Sequence, residues 1–199
     1  MLNNVVLIKN YAFHGCKSLI NIIIPDSVYS IENYAFYGCE SIEKITIPGR
    51  IKTINKCTFH SCKSLKKVII ESGIKTIGIL AFAYNNCLED IIIHNSVERI
   101  DDKAFFGCKS LKKITIPSSV TWLGEGVFWC CESLETIIIP KSINYIDART
   151  FAQCKSLKNI TIADGTTIDD GAFWGCSSLE HFTMPIDNHG SASISRSTF

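Results

Sequence analysis

The 199-residue chain is 46% hydrophobic and 20% charged, which suits one domain or a short repeat array with a substantial core. Its 20 basic and 19 acidic side chains give a formal net charge of +1, so there is no global attraction to nucleic acid or to an anionic membrane. No apolar run approaches the ~18 residues that a spanning helix needs, and residues 1–8 lack the basic start and apolar length of a secretory leader.

A column of phenylalanines sets the organisation. Phe13, Phe36, Phe59, Phe82, Phe105, Phe128, Phe151 and Phe173 follow one another at steps of 23 residues, with a final step of 22. Self-similarity at such a period marks a solenoid in which each unit closes its core only by stacking on its neighbours. The predicted strands, in chain order, lie near 19–24, 42–47, 65–70, 88–93, 111–116, 134–139, 157–162 and 179–184. Each ends in alternating apolar residues, as in Leu111-Lys-Lys-Ile114-Thr-Ile116, which is the pattern of a strand with one buried face. A following residue such as Pro117 ends the strand, because proline cannot donate to a ladder. A second extended piece, such as Val120-Thr-Trp-Leu123, runs along the other side, and the turn around the Phe closes the coil. The expected fold is a β-rich, right-handed solenoid of about eight coils with one continuous parallel sheet. At ~4.8 Å per coil the rod is roughly 40 Å long. The solenoid should occupy residues 1–185, with 186–199 an irregular end or the start of a further coil.

The unit Ala104-Phe-Phe-Gly-Cys-Lys-Ser-Leu-Lys-Lys-Ile-Thr-Ile-Pro-Ser-Ser-Val120 resembles the BspA-type leucine-rich repeat, whose 23-residue units share the Ala-Phe-x-Gly-Cys and Leu-x-x-Ile-x-Ile-Pro elements. The resemblance covers about residues 1–185. It implies a leucine-rich-repeat coil and a binding function. Many members are surface proteins of bacteria and parasitic protists that hold host matrix or plasma proteins, so it also implies a protein ligand and a cell-surface location. Two coils depart from the pattern. After Phe82, Tyr84-Asn85 replaces Gly-Cys and His94 replaces the proline; the coil after Phe151 is one residue short.

The ten cysteines do not read as a disulfide or metal scaffold. Cys16, Cys39, Cys62, Cys108, Cys131, Cys154 and Cys176 keep the repeat period, so they read as a buried column of small side chains. Parallel Cβ vectors on stacked coils work against the disulfide dihedral. Cys57, His60 and Cys62 form a compact trio but lack a fourth ligand for zinc; Cys57 and Cys130 are the expected reactive thiols. No cofactor is implied. The five histidines share no motif with a nucleophile or carboxylate, and no phosphate loop is present, so no enzyme activity is expected. A polar column at Asn4, Ser27, Arg50, Gly73, Ser96, Ser119, Ser142 and Asp164 should satisfy backbone groups of neighbouring coils. Asn159-Ile160-Thr161 is a glycosylation triplet inside a strand.

Two columns on the strands should face outward. One contains Lys44, Lys67, Lys113 and Asn159; the other contains Ile23, Thr46, Ile69, Ile92, Thr115, Ile138 and Thr161. Four isoleucines on one flat face read either as an interaction strip or as plain β-propensity. Lys66 and Lys112 would extend a basic edge, so the expected partner is a protein with an apolar strip beside acidic residues, not DNA. A surface module and an intracellular scaffold both fit; the unpaired cysteines favour the second.

Overall fold

The computed structural model describes residues 5–183. They wind into a parallel β-solenoid of about eight turns without a helix. Each coil contributes up to two short strands, and the strands form two rows. The short row contains β1 (Leu7–Ile8), β2 (Ser30–Ile31), β4 (Thr53–Ile54), β6 (Thr76–Ile77), β8 (Arg99–Ile100), β9 (Trp122–Leu123), β11 (Tyr145–Ile146) and β13 (Thr167–Ile168). The long row contains β3 (Lys44–Ile47), β5 (Lys67–Ile70), β7 (Asp90–Ile92), β10 (Thr136–Ile138), β12 (Asn159–Thr161) and β14 (His181–Thr183). All pairings are parallel and join equivalent positions of successive coils, as in Ile45 opposite Val68 and Ile137 opposite Ile160.

The phenylalanines are the spine of the core. From Phe36 to Phe173 they are buried, while Phe13 at the first coil is partly exposed. The rings form a stack from Phe13 to Phe173 with centroid separations of 4.9 to 5.7 Å. Such spacing follows from the coil rise, which is the strand spacing of ~4.8 Å. Around each Phe the backbone turns through two left-handed residues, one two positions before it and one two positions after. Gly107 (φ 69°) is one; Lys103 (φ 56°) is its counterpart before Phe105. Where glycine stands, as at Gly15, Gly38 and Gly107, it meets no steric cost; elsewhere side chains such as Tyr11, Ser61, Tyr84 and Arg149 accept the conformation because the turn is fixed by hydrogen bonds between coils. Those bonds run from the N–H of each Phe from Phe13 to Phe151 to the next coil: Phe36 to Thr58 O at 2.9 Å, Phe59 to Ala81 O at 2.8 Å, Phe82 to Ala104 O at 2.8 Å.

The cysteine column is buried from Cys39 to Cys154, with Cys16 exposed and Cys176 partly so, and all ten thiols are free. Each column thiol beyond Cys16 has a defined partner. It donates to the carbonyl of the Phe one coil earlier, as in Cys62 to Phe36 O (3.2 Å) and Cys154 to Phe128 O (3.2 Å). Asn85, standing in that column, donates from Nδ2 to Phe59 O at 3.0 Å, and its buried Oδ1 has no partner. Part of the polar column behaves similarly: Ser27, Ser119 and Ser142 donate to Val5, Val97 and Val120 carbonyls at 2.6 to 2.7 Å, while Ser96 Oγ accepts from Gly73 N–H at 2.9 Å and Arg50 and Asp164 are exposed. In the short coil Thr166 drops into the core place of the valines and isoleucines. Its hydroxyl donates to Ala163 O at 2.9 Å, so a buried polar group is satisfied locally.

The sheet differs from the continuous one expected. Among the described residues, segment 19–24 forms no strand, and segment 111–116 keeps only an isolated bridge from Lys113 to Thr136. The long row therefore splits into β3-β5-β7 and β10-β12-β14. The split falls beside the coil that carries Tyr84-Asn85 and His94. The turn still holds there, since Tyr84 N–H donates to Phe106 O at 2.7 Å, and so does the short row from β8 to β9. Residues 186–199, Asn4 and Met184 lie outside the described residues.

Candidate functional site

The long row presents one face of its strands to solvent. Alternation along each strand buries Ile45, Ile47, Val68, Ile70, Ile91, Ile137 and Ile160, so the residues between them must point outward. The structure places Lys44, Lys113, Asn159, Thr115 and Thr161 in exposed positions, with Thr46 and Lys67 at intermediate exposure. Of the four isoleucines, Ile23, Ile138 and Ile92 are 90%, 69% and 50% exposed. Ile69 is half-buried, because it lies between Thr46 and Ile92 in a fully paired part of the sheet.

Two shallow grooves mark the face, each beside a lapse in strand pairing. One, of about 590 Å³, brings Ile23, Lys44 and Thr46 together with Asn21, Asp26 and Glu71. The other, of about 300 Å³, brings Lys113, Thr115 and Ile138 together with Thr136 and Pro140. Lys67, Ile69, Ile92, Asn159 and Thr161 lie on the same face outside the grooves.

The basic edge is not a run of free cations. Lys67 pairs with Asp90 at 3.1 Å and Lys66 with Glu43 at 3.4 Å. Grouping the lysines by sign hides the carboxylates between them: Glu43, Glu89 and Glu135 alternate with Lys66 and Lys112 at the repeat step. A second alternating column borders the turn. Glu40 is held by Lys17 and Lys63, both at 3.2 Å, and Glu132 by Lys109 and Lys155 at 3.1 and 3.4 Å. Hydrogen bonds from these lysines pull both carboxyls below the usual range. The face is thus zwitterionic.

Sequence reasoning also missed an aromatic ridge on the turn, one residue after the Phe column. His14 stacks on Tyr37 (5.0 Å) and Tyr37 on His60 (4.7 Å); further along, Phe106 leans on Trp129 (5.0 Å). His14, Tyr37 and His60 cover one another's faces, Arg149 lies over the Trp129 ring at 5.7 Å, and Trp174 is exposed. The signal was readable as His14, Tyr37, His60, Phe106, Trp129 and Trp174 at one repeat position.

The thiols expected to react are placed otherwise. Cys57 is buried, and burial pushes its thiol up. Cys130 is only partly exposed and is raised by the same cause. The exposed thiols are Cys16 and Cys87. In the Cys57, His60 and Cys62 trio, the His60 ring bonds Ser61 Oγ at 2.8 Å and Cys62 donates to a backbone carbonyl, so the three groups serve separate contacts. Among the described residues no group of three potential ligands could hold a metal ion, and no helix is long and apolar enough to cross a membrane.

The family model described as the BspA type leucine-rich repeat region matches in six copies, over residues 1–89 and 75–199. No curated protein sequence matches the chain. Solved structures with the same fold include a leucine-rich repeat protein of T. pallidum, 24% identical, with a TM-score of 0.64 over 74% of this chain and 81% of that one. A leucine-rich cell surface protein of Faecalibacterium prausnitzii is 24% identical, with a TM-score of 0.60 over 92% of this chain and 65% of its own length. The pneumococcal vaccine antigen PcpA is 24% identical, with a TM-score of 0.63 over 78% of this chain and 48% of that one. The chain thus spans less than two thirds of the latter two.

Proposed function

Because the chain belongs to the BspA-type leucine-rich repeat family, whose repeats generally serve as protein-interaction modules, we propose that it is an adhesive binding module that holds a protein ligand on its long-row face. The observation that carries this reading is the outward exposure of Ile23, Ile92 and Ile138 on one face of the solenoid. Exposed apolar side chains aligned on one face mark an interaction strip, and a surface formed before binding loses little conformational entropy on docking. Host matrix or plasma proteins are the ligand class in keeping with a surface module, and two of the similar structures are a cell surface protein and a vaccine antigen.

The test is binding of the purified chain to immobilised matrix and plasma proteins. Ile92→Asp with Ile138→Asp should abolish binding without altering the far-ultraviolet circular dichroism spectrum. Retained binding by that folded variant removes the face from the account. A second reading, an intracellular interaction scaffold, is favoured by one observation: all ten thiols are free, and free thiols persist best in reducing compartments. Surface labelling of intact cells separates the two, since only a surface module is labelled.

A further inference from the structure

Seven exposed residues bordering the long row alternate strictly in charge along the rod: Glu43, Lys66, Glu89, Lys112, Glu135, Lys158 and Glu180. Their spacing is fixed by backbone bonds between coils. Lys66 N–H donates to Glu43 O at 2.8 Å, Glu89 to Lys66 O at 3.0 Å, Glu135 to Lys112 O at 3.1 Å and Lys158 to Glu135 O at 2.9 Å. Only the first two side chains form an ion pair. Among the described residues Glu89, Lys112, Glu135 and Lys158 have no ion-pair partner.

A column of this kind is neutral over every two steps. A ligand of one charge sign, such as a nucleic acid or an acidic peptide, meets attraction and repulsion in equal measure along it. Full complementarity needs an opposing column with the same spacing and the same alternation. A second copy of this chain supplies one.

We infer that the long-row face docks on the same face of a second copy, with the two rods antiparallel. The two-fold axis runs parallel to the strands and crosses the rod between segments 88–93 and 111–116. Such an axis lays each column on itself with the coil order reversed, as an isologous contact requires. It sets Glu89 of one copy opposite Lys112 of the other, Lys66 opposite Glu135, and Glu43 opposite Lys158, each pair occurring twice, and leaves Glu180 opposite Ile20 at the ends. In the adjoining outward column it sets Asp90 opposite Lys113, and in the apolar column Ile69 opposite Ile138. This position also overlaps the largest number of coils. Moving the axis by half a coil sets Glu on Glu and Lys on Lys, so the alternation excludes the neighbouring registers. Moving it by a full coil toward the C-terminus restores that column but leaves Asp90 opposite Asn159. The inference rests on the proposed use of this face for docking a protein; self-docking covers the face, so the dimer and the ligand-bound form exclude one another.

Sedimentation equilibrium of the full chain, over a wide concentration range at low and high salt, tests it. The wild type should form a dimer that weakens as salt rises. Lys112→Glu places like charges opposite Glu89 at two symmetric points and should weaken association about tenfold or more. Glu89→Lys with Lys112→Glu exchanges the pair and should restore association to within about threefold of wild type. Circular dichroism confirms that each variant is folded. A wild type that stays monomeric overturns the inference, as does a Lys112→Glu dimer of unchanged strength or a double variant no stronger than the single. A monomeric protein that still loses its ligand on Ile92→Asp with Ile138→Asp leaves the proposed function standing, so the two failures are told apart.

Discussion

Phe105 and Phe128 lie one above the other in the core, with centroids 5.7 Å apart and ring planes 3° from parallel. Both are fully buried, and each also touches the Phe of its other neighbouring coil. Removing one ring opens a cavity that two coils share. Phe105→Ala should therefore cost about 3–5 kcal/mol, measured by urea unfolding, whereas the exposed Lys113→Ala should change stability by less than about 0.5 kcal/mol. Equal losses would mean that the register is wrong.

The thiol column should make the fold sensitive to alkali. Burial raises Cys39 to about 11 and Cys108 and Cys176 to about 12, from 9.0 for an ordinary thiol. The protonated form is favoured in the folded state, so this contribution is complete below pH 9 and is lost as pH rises through the folded values. Midpoints of urea unfolding should stay level up to about pH 9 and fall steeply above it. Titration of the denatured, non-reduced protein should find most of the ten thiols free. Mostly disulfides, or a midpoint indifferent to alkali, would contradict the buried column.

Asn85 is a local defect in that column. Its Nδ2 takes over the thiol's bond to Phe59 O, but its Oδ1 is buried without a partner. Such a group costs about 1–3 kcal/mol. Asn85→Cys removes the orphan oxygen and keeps a donor, so the variant should be more stable by about 1 kcal/mol or more. A destabilised variant would show that Asn85 is supported in some other way.

The lapse in the long row should be visible in amide exchange. Lys66 and Glu89 N–H groups donate to the preceding coil at 2.8 and 3.0 Å, but Lys112 N–H meets no such acceptor in segment 88–93. Amides of Lys112 and Lys113 should exchange faster than those of Lys66, Lys67 and Glu135, although all lie in central coils. Uniform protection across these positions would mean that the sheet is continuous in solution.

The coil architecture was legible because its signals are one-dimensional. The step from Phe to Phe fixes the period, and the Ile-x-Ile ending of each segment fixes which side chains are inside. Lys44, Lys113, Ile23, Ile92 and Ile138 point outward for that reason. Pairing between coils was less legible. Leu111-Lys-Lys-Ile-Thr-Ile matches the repeat well, yet its pairing depends on the coil before it, where Asn85 and His94 depart from the pattern. Ile69 is half-buried because its neighbours on both sides are paired, a property of the sheet and not of its own strand. Cys57 looked free because it stands outside the cysteine column; it is buried all the same, although Tyr11 and Arg149 at the same repeat position are exposed.

The central claim, that the long-row face is where a partner docks, is tested most directly by site-specific photo-crosslinking. A crosslinking side chain placed at Ile138 on the long row, and in a second variant at Tyr145 on the short row, samples two exposed sites on different rows of one coil. Mass spectrometry of the adducts formed in the native cell then identifies the contacted chain. The account predicts a discrete protein adduct from position 138 and none from position 145. An adduct from position 145 alone would contradict it.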